Sequence, residues 1–277
     1  MHESEPESRL DQDKQQDARE RSSVPVQIIH EAIRQQGDEE LNRPMQALAW
    51  SGLAAGFSMG MSLVVQGLLQ AHLPDAPWRS LVVRLGYPFG FVMVIGGRQQ
   101  LFTENTLSPI IPLLERRDRA TLWKVIKLWA AVLMANLAGV HIAAWVLTNT
   151  QTFRPEVRRA FAELAREAVA VSFSNALLRG IFAGWLIAMM VWILAVLDNS
   201  RLPVILIMTY VIGLAGFTHI IAGSAEALVL VWNGSTSWWS YAEGYALPTL
   251  IGNLLGGLTL VSALNHAQVV AGSSDPR

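Results

Sequence analysis

His219 stands in the middle of a long apolar stretch, where a titratable side chain is expected to do chemistry. The stretch, Leu202–Trp232, has 31 residues and is interrupted by Gly213, Gly216, His219 and Gly223. One bilayer crossing needs about 20 residues, so the whole segment is too long for a straight helix and each of its two pieces is too short. Irregular backbone persists at membrane depth only where protein buries it or where it lines a cavity. The pattern predicts a broken helix that places an imidazole beside a pore.

A second apolar stretch is interrupted in the same way. Leu81–Gly97 is apolar apart from Arg84, and a polar run from Arg98 to Thr106 separates it from the short apolar piece Leu107–Leu114. A straight helix facing lipid could not carry that polar run. The sequence therefore predicts two broken segments, and the polar run of the first contains Thr103.

Composition identifies the class of protein that holds these segments. Of 277 residues, 52% are hydrophobic and 16% are charged, whereas a soluble domain carries about 25% charged residues. Three stretches carry no charge: Met45–Ala71, Leu128–Phe153 and Gly244–Ser274. The chain reads as an integral membrane protein embedded in a lipid bilayer. Its net charge of −1 gives no indication of nucleic-acid binding, and the absence of cysteine excludes disulfides and thiol chemistry.

The chain is expected to divide into four parts. Residues 1–25 read as a disordered cytoplasmic tail, 26–44 as an amphipathic N-terminal helix, 45–272 as a six-helix transmembrane domain, and 273–277 as a short cytoplasmic tail. The four unbroken spans are expected at about 46–71, 122–148, 169–197 and 245–271, with a polar loop at 233–243. An even number of spans puts both termini on one side, and 11 Lys and Arg on that side against five on the other place them in the cytoplasm.

The two halves of the chain share a pattern. Asn136-Leu137-Ala138-Gly139 matches Asn253-Leu254-Leu255-Gly256, and the spacing from Thr103 to Asn136 is 33 residues against 34 from His219 to Asn253. With three spans in each half, the second half must insert upside down relative to the first. Inverted repeats with broken helices that meet near the midplane are typical of transporters. The expected fold is all-α, with six transmembrane helices in a three-plus-three inverted repeat and the second and fifth spans broken.

These motifs resemble the formate/nitrite transporter family over about residues 26–271. The resemblance lies in four segments: Gly97 to Thr103, Gly216-Phe217-Thr218-His219, Ile251 to Gly257, and Leu178-Arg179-Gly180-Ile181. It implies an aquaporin-like fold, a homopentamer with one pore in each subunit, and passage of small monovalent anions. It also implies that Thr103 and His219 form the central polar pair, and that apolar side chains line the substrate pathway around them: Leu101, Phe102, Phe91 and Ile212.

The chain departs from that family's pattern at several positions. The family usually has a lysine shortly before the fourth span, where this chain has Ala168, and an acidic residue before Leu101, where this chain has Gln100. Glu104 adds a carboxylate to the first break, and Arg98 and Glu226 are further charges near the breaks. These changes alter the charge along the path, so the sequence does not fix formate or nitrite as the solute.

The cost of moving a bare anion into a medium of low dielectric constant suggests a mechanism, since that cost is on the order of 20 kcal/mol in the idealised limit. A neutral acid avoids most of it. The anion is expected to take a proton from His219, or through it, and to cross the constriction as the acid. Asn136 and Asn253 are expected to clamp the broken loops, with Arg98 and Glu104 supporting the first loop as an ion pair or acting in gating.

Other classes of function fit the sequence less well. No metalloprotease, phosphate-loop or nucleophile-elbow motif is present, so we expect no enzyme activity, no catalytic residues, no cofactor and no metal. An aquaporin-like channel for small neutral solutes would lack the Asn-Pro-Ala boxes. A non-conducting scaffold protein is a third alternative. The expected location is the bacterial inner membrane, as a multi-pass plasma-membrane protein.

Overall fold

The computed structural model describes residues 24–197 and 199–273, and this part of the chain is formed of helices and short connections, without β-strands. The helices are α1 (Val26–Asn42), α2 (Met45–His72), α3 (Arg79–Gly96), α4 (Ile110–Arg116), α5 (Arg119–Asn149), α6 (Pro155–Val169), α7 (Phe173–Leu194), α8 (Arg201–Leu214), α9 (Ile220–Trp232) and α10 (Ser240–Ala271). A 3₁₀ turn interrupts α3 at Arg84–Gly86, and π-helical turns occur in α10. Most of the predicted N-terminal tail, and residues 274–277 of the C-terminal one, lie outside the described residues.

Five of the described helices, α2, α3, α5, α7 and α10, are long and apolar enough to cross a membrane. The shorter apolar helices α8 and α9 succeed one another around the non-helical residues 215–219. Helix α3 likewise ends before a non-helical stretch that leads to α4. The prediction of two interrupted segments is confirmed. The count of six spans and the four-part division of the chain stay predictions.

The helices repeat in order between the two halves. Each half has an amphipathic helix (α1, α6), a long helix (α2, α7), an interrupted pair (α3 with α4, α8 with α9) and a second long helix (α5, α10). The two long helices of a half pack on each other, and each amphipathic helix packs on the second member of its interrupted pair. Every residue of α9 from 220 to 231 is buried, which suits a helix that is apolar on all sides.

Close packing within each half depends on a glycine opposite the same carbonyl. A Cβ at Gly56 of α2 would lie 2.2 Å from the carbonyl oxygen of Asn136 in α5. A Cβ at Gly184 of α7 would lie 2.2 Å from the carbonyl oxygen of Asn253 in α10. Small residues allow membrane helices to approach this closely, so these two glycines serve helix contact.

Two helix starts differ from the sequence-based expectation, in each case because of a serine cap. The fourth span was expected from residue 169, but α7 starts after Ser172, whose Oγ accepts a hydrogen bond from the Asn175 N–H at 3.3 Å. The polar loop expected at 233–243 was too long. The Ser237 Oγ accepts from the Ser240 N–H at 3.0 Å, and α10 starts there.

Candidate functional site

The two interrupted segments end their first helices with the same turn. In the first break, the Gln99 N–H donates to the Val94 carbonyl at 2.9 Å; in the second, the Phe217 N–H donates to the Ile212 carbonyl at 3.0 Å. Both are six-to-one hydrogen bonds of the Schellman type. Each turn needs one residue in the left-handed region, and this is Gly216 (φ 63°) in the second break but Arg98 (φ 51°) in the first.

One asparagine from each half clamps the backbone of its break. Asn136 Nδ2 donates to the carbonyls of Gly52 (2.8 Å) and Gln100 (2.9 Å), and its Oδ1 accepts from the Phe102 N–H at 2.9 Å. Both asparagines are fully buried, with 0% of their surface exposed. The predicted clamping role of Asn136 therefore has a geometry that satisfies three backbone groups with one side chain.

Asn253 makes the equivalent three bonds in the second half. Its Nδ2 donates to the carbonyls of Gly180 and Thr218, both at 2.9 Å, and its Oδ1 accepts from the Ile220 N–H at 2.9 Å. The residue bracketed by the clamp is thus Leu101 in the first break and His219 in the second. Spacing alone aligned His219 with Thr103, and the hydrogen bonds correct that alignment by two residues.

His219 and Thr103 meet across the two halves. His219 Nε2 lies 2.7 Å from Thr103 Oγ1, and both residues are buried. His219 Nδ1 accepts a hydrogen bond from the Ala222 N–H at 3.1 Å, which makes His219 the N-cap of α9. A ring nitrogen that accepts carries no proton, so the proton of the neutral imidazole is on Nε2 and is donated to Thr103.

Of the predicted apolar pathway residues, some lie beside His219 and others are buried in the main core near Thr103. The Phe91 ring meets the His219 ring edge-on, with 5.1 Å between centroids. Leu101 and Phe102 are buried in the main core, and Phe102 also contacts Trp129. Ile212 lies beside His219 in the wall of a cavity. The structure brings these side chains to the level of the two breaks; their part in conduction stays a prediction.

On the side of α1 the break opens into a cavity of about 560 Å³, here called the α1-side vestibule. Its charged lining is Glu39, Glu40, Arg43, Arg98, Glu104 and Arg201. An ion pair and a gating role were the two alternatives for Arg98 and Glu104, and no ion pair joins these two described residues. Within the described part of the chain, the Glu104 Oε1 is buried without a hydrogen-bond partner. Their role in supporting the loop stays a prediction.

The same vestibule is covered by α1, which is fastened to the first break. Glu40 Oε2 accepts a hydrogen bond from the Ser108 Oγ at 2.8 Å, and Asp38 pairs with Arg116 of α4 at 2.6 Å. Burial raises the pKa of the Glu40 carboxyl, although bonds from Gln36 and Ser108 oppose the shift. The amphipathic helix predicted for residues 26–44 is therefore a structural part of this vestibule.

On the opposite side, a smaller cavity of about 50 Å³ reaches His219; it is called the α6-side vestibule. Liquid water occupies about 30 Å³ per molecule, so the space suits one or two waters or a small solute. Ala168, where the resembling family has a lysine, lines this cavity. The charged residues of the lining are Arg84, Glu167, Arg179 and Glu226.

Sequence reasoning missed the way in which Arg84 is held in this vestibule. Arg84 Nη1 donates to the Gln66 Oε1 at 2.9 Å, and Nη2 donates to the Glu167 Oε2 at 3.1 Å. These residues come from α2, α3 and α6, and Gln66 and Glu167 are 101 positions apart in the chain. Only the isolated arginine within an apolar segment signalled the site.

The comparisons with known proteins agree with this geometry. A family model described as "Formate/nitrite transporter" matches residues 27–267. The chain is 41% identical over 249 residues to "Inner membrane protein YfdC" of Escherichia coli (strain K12), a match that covers 90% of this chain and 80% of that protein. It is 22% identical over 245 residues to the "Formate-nitrite transporter" of Plasmodium vivax, covering 82% and 78%.

Two solved structures have the same fold. One is titled "Pentameric formate channel with formate bound"; it matches with a TM-score of 0.68 and 17% identity over 86% of this chain and 99% of that one. The other, titled "FNT family ion channel", matches with a TM-score of 0.71 and 14% identity over 91% and 98%. At these identities the likeness concerns the fold.

Proposed function

This chain belongs to the formate/nitrite transporter family, and from that premise we propose that it passes small monovalent anions, or their conjugate acids, with proton exchange through His219. It is a membrane transport protein and not an enzyme. Formate and nitrite are the proposed solutes, because the family and the Plasmodium vivax relative are named for them. The proton linkage is suggested by the site.

One observation carries the proposal: the 2.7 Å contact between His219 Nε2 and Thr103 Oγ1. It joins the non-helical stretches of the two broken segments, and Phe91 packs beside it. An imidazole donor at this point can replace part of the hydration that an anion loses. An N–H donor to an ionised acceptor forms a stronger hydrogen bond than it does to a neutral one.

The tautomer of His219 suggests how the proton moves. Nε2–H gives its proton to the bound anion, which becomes the neutral acid, while Nδ1 takes a proton from a hydronium ion that reaches the α6-side vestibule and leaves as water. The ring stays neutral overall and ends as the other tautomer. In that tautomer Nδ1 no longer accepts from the Ala222 N–H, so α9 loses its cap at a cost of about 1 kcal/mol until the ring resets.

Location and assembly are proposed from the apolar helices and from the relatives. The apolar helices and the relative named an inner membrane protein support a multi-pass protein of the bacterial inner membrane. We propose that both termini are cytoplasmic, and that the chain forms a homopentamer as the solved formate channel does by its title. The chain has no cysteine, so Val24→Cys and Ser235→Cys can each be labelled alone from outside intact cells. The proposed orientation requires labelling only at position 235.

The function is tested with the full chain in proteoliposomes, by measuring uptake of formate, nitrite and glycerol between about pH 5 and pH 8, the range in which histidine titrates. Protein-free liposomes give the passive flux of the acids. His219→Asn keeps an N-cap acceptor but cannot titrate, and we expect it to lower proton-coupled formate flux about a hundredfold. His219→Phe removes both the N-cap acceptor and the titratable group.

The matched control is His72→Asn, at the exposed end of α2. We expect it to transport as the wild type does. Formate flux and pH dependence that survive His219→Asn would overturn the proton linkage, and glycerol flux without anion flux would favour the neutral-solute channel.

A further inference from the structure

Two charged side chains of the α6-side vestibule lie deeper than the rest. The side chain of Arg84 is 17% exposed and the residue Glu226 is 6% exposed, whereas the side chain of Glu167 is 62% exposed. Arg179 is also exposed. Glu167 pairs with Arg84 at 3.1 Å, but its side chain is mostly exposed, so water and salt weaken that pair. The field that a solute meets inside the vestibule therefore comes mainly from Arg84 and Glu226.

Glu226 is buried without an ion-pair partner. No salt bridge involves it anywhere in the described part of the chain. Gln66 lies beside Glu226 and also holds Arg84, whose Nη1 donates to the Gln66 Oε1. Arg84 and Glu226 therefore both lie beside the Gln66 amide, and no ion pair joins these two described side chains. A buried carboxyl with no direct counter-ion is a candidate for proton uptake.

Glu226 is the carboxylic acid that lies deepest in the α6-side vestibule, and apart from Arg84 the other groups around it are tyrosines, neutral side chains or charges at the outer edge. Tyr87 at the start of the second part of α3 and Tyr245 of α10 line the same cavity, and Glu167 of α6 and Arg179 of α7 lie at its outer edge. Helix α2 contributes Gln66, which is neutral. Helix α5 meets the far end of α9, where His141 packs on Trp232. Along α9 itself His219 is seven positions earlier, about 10 Å along the axis.

We propose that the charge of Glu226 controls anion access to the α6-side vestibule, with the ionised carboxylate excluding the anion and the protonated carboxyl leaving Arg84 to bind it. With Glu226 ionised, the inner pair sums to zero and a monovalent anion would bring an unbalanced negative charge. With Glu226 protonated, the inner charge is +1 and the anion neutralises it. This inference rests on the proposed function and names the regulation of the same path.

Linkage between the two binding events gives the direction of the pH dependence. If protonation of Glu226 favours the anion, then the anion favours protonation of Glu226 by the same factor. Anion occupancy therefore rises as the pH falls, and one proton accompanies each anion into the vestibule. The substrate class is thus a monovalent anion small enough for about 50 Å³. Neutral solutes would be insensitive to Glu226.

The test compares formate uptake by wild type, Glu226→Gln and Arg84→Gln in proteoliposomes at several pH values. Glutamine has the shape of the protonated carboxyl and no charge. We expect Glu226→Gln to exceed wild-type uptake about tenfold at the alkaline end, because removing one like charge near the anion changes its binding by about that factor. The pH slope should flatten to the part that His219 contributes. Arg84→Gln should lower uptake about tenfold at the acid end.

The control is Glu163→Gln, an exposed position of α6 outside the vestibule, which should match the wild-type profile. Arg84→Lys keeps the charge and should restore part of the uptake lost in Arg84→Gln. A Glu226→Gln profile that superimposes on the wild-type profile would overturn the inference while leaving the proposed function intact.

A second readout is independent of conduction. Formate that binds the native state raises its melting temperature in detergent by mass action. We expect this shift in the wild type at acid pH only, and in Glu226→Gln at both acid and alkaline pH. That pattern would support the inference even if the wild type carried no formate flux, which would overturn the proposed function alone. Parallel shifts in both proteins would overturn the inference.

Discussion

The first and second breaks share one backbone cradle but hold different side chains in it. Asn136 and Asn253 each satisfy two carbonyls and one N–H, and the residue inside the clamp is Leu101 in one half and His219 in the other. The clamp itself thus depends on backbone groups alone. The residue that it presents decides whether that half contributes an apolar wall or a titratable ring.

The two halves also differ in the helix that comes after the break. After the first break come a 3₁₀ turn at Glu104–Thr106 and the seven-residue α4. After the second, α9 starts at once with His219 as its cap and runs for 13 residues, fully inside the protein. A longer helix presents a better-developed positive N-terminus to an anion. The second half therefore presents the longer helix N-terminus to a solute, and the first half supplies the Thr103 hydroxyl and most of the charged lining of the α1-side vestibule.

The clamps should give the largest effect on stability. Asn136→Ala and Asn253→Ala each remove three buried hydrogen bonds, and at about 1 kcal/mol for each bond we expect a loss of about 3 kcal/mol in either half. The readout is thermal unfolding of the purified protein in detergent. Asn149→Ala, at an exposed position on α5, is the control and should stay near wild type. A large loss in one half with none in the other would break the equivalence of the two clamps.

The glycine contacts come next. Gly56→Ala and Gly184→Ala each press a methyl group onto the backbone carbonyl of the clamp asparagine, and we expect about 2 kcal/mol of destabilisation for both. Gly244→Ala is the matched control, because a Cβ there would meet no atom within 4 Å. Unequal melting temperatures for the two contact variants would show that the halves pack differently despite their common geometry.

The left-handed turn residues should respond in opposite directions. Gly216→Ala puts a Cβ on a residue with φ 63°, and we expect it to destabilise by about 1 kcal/mol. Arg98→Gly relieves the same strain at φ 51°, and we expect a smaller net gain because glycine also raises the entropy of the unfolded chain. Equal signs for the two substitutions in thermal unfolding would contradict the shared turn geometry.

The smallest effect concerns α1, which also reaches the second half through a pair of histidines. His30 Nε2 lies 3.0 Å from the Nδ1 of His266, and burial, together with the charge of His266, holds the pKa of His30 below its usual value. A histidine favoured as neutral contributes fully above about pH 6.5 and loses its contribution as the pH falls. Acidification should thus loosen α1, seen as increased mobility of a nitroxide label on Gln35→Cys.

His30→Gln is the control for that measurement, and it should remove the pH dependence of the label. Label mobility that rises with increasing pH would contradict the assignment. The same pH response is not expected of α6, the counterpart of α1 in the second half, because α6 carries no histidine.

The broken segments and the clamp were predictable from the sequence because each is marked locally, whereas the pairing of Thr103 with His219 was implied by the family resemblance. Glycines and polar residues inside apolar runs show the breaks, and the repeated asparagine shows the clamp. The register between halves was not predictable from spacing, because the two breaks differ in length and only hydrogen bonds align Leu101 with His219. The cluster of Arg84, Gln66 and Glu226 was also not predictable from the sequence, since its three residues belong to three separate helices.

Simultaneous recording of formate uptake and internal pH in proteoliposomes tests the central claim most directly. A path on which the anion takes a proton at His219 carries one proton with each formate and therefore no net charge. We expect internal acidification in proportion to uptake, no effect of an imposed membrane potential, and loss of both signals in His219→Asn. Formate uptake that depends on the membrane potential, without movement of protons, would contradict the account.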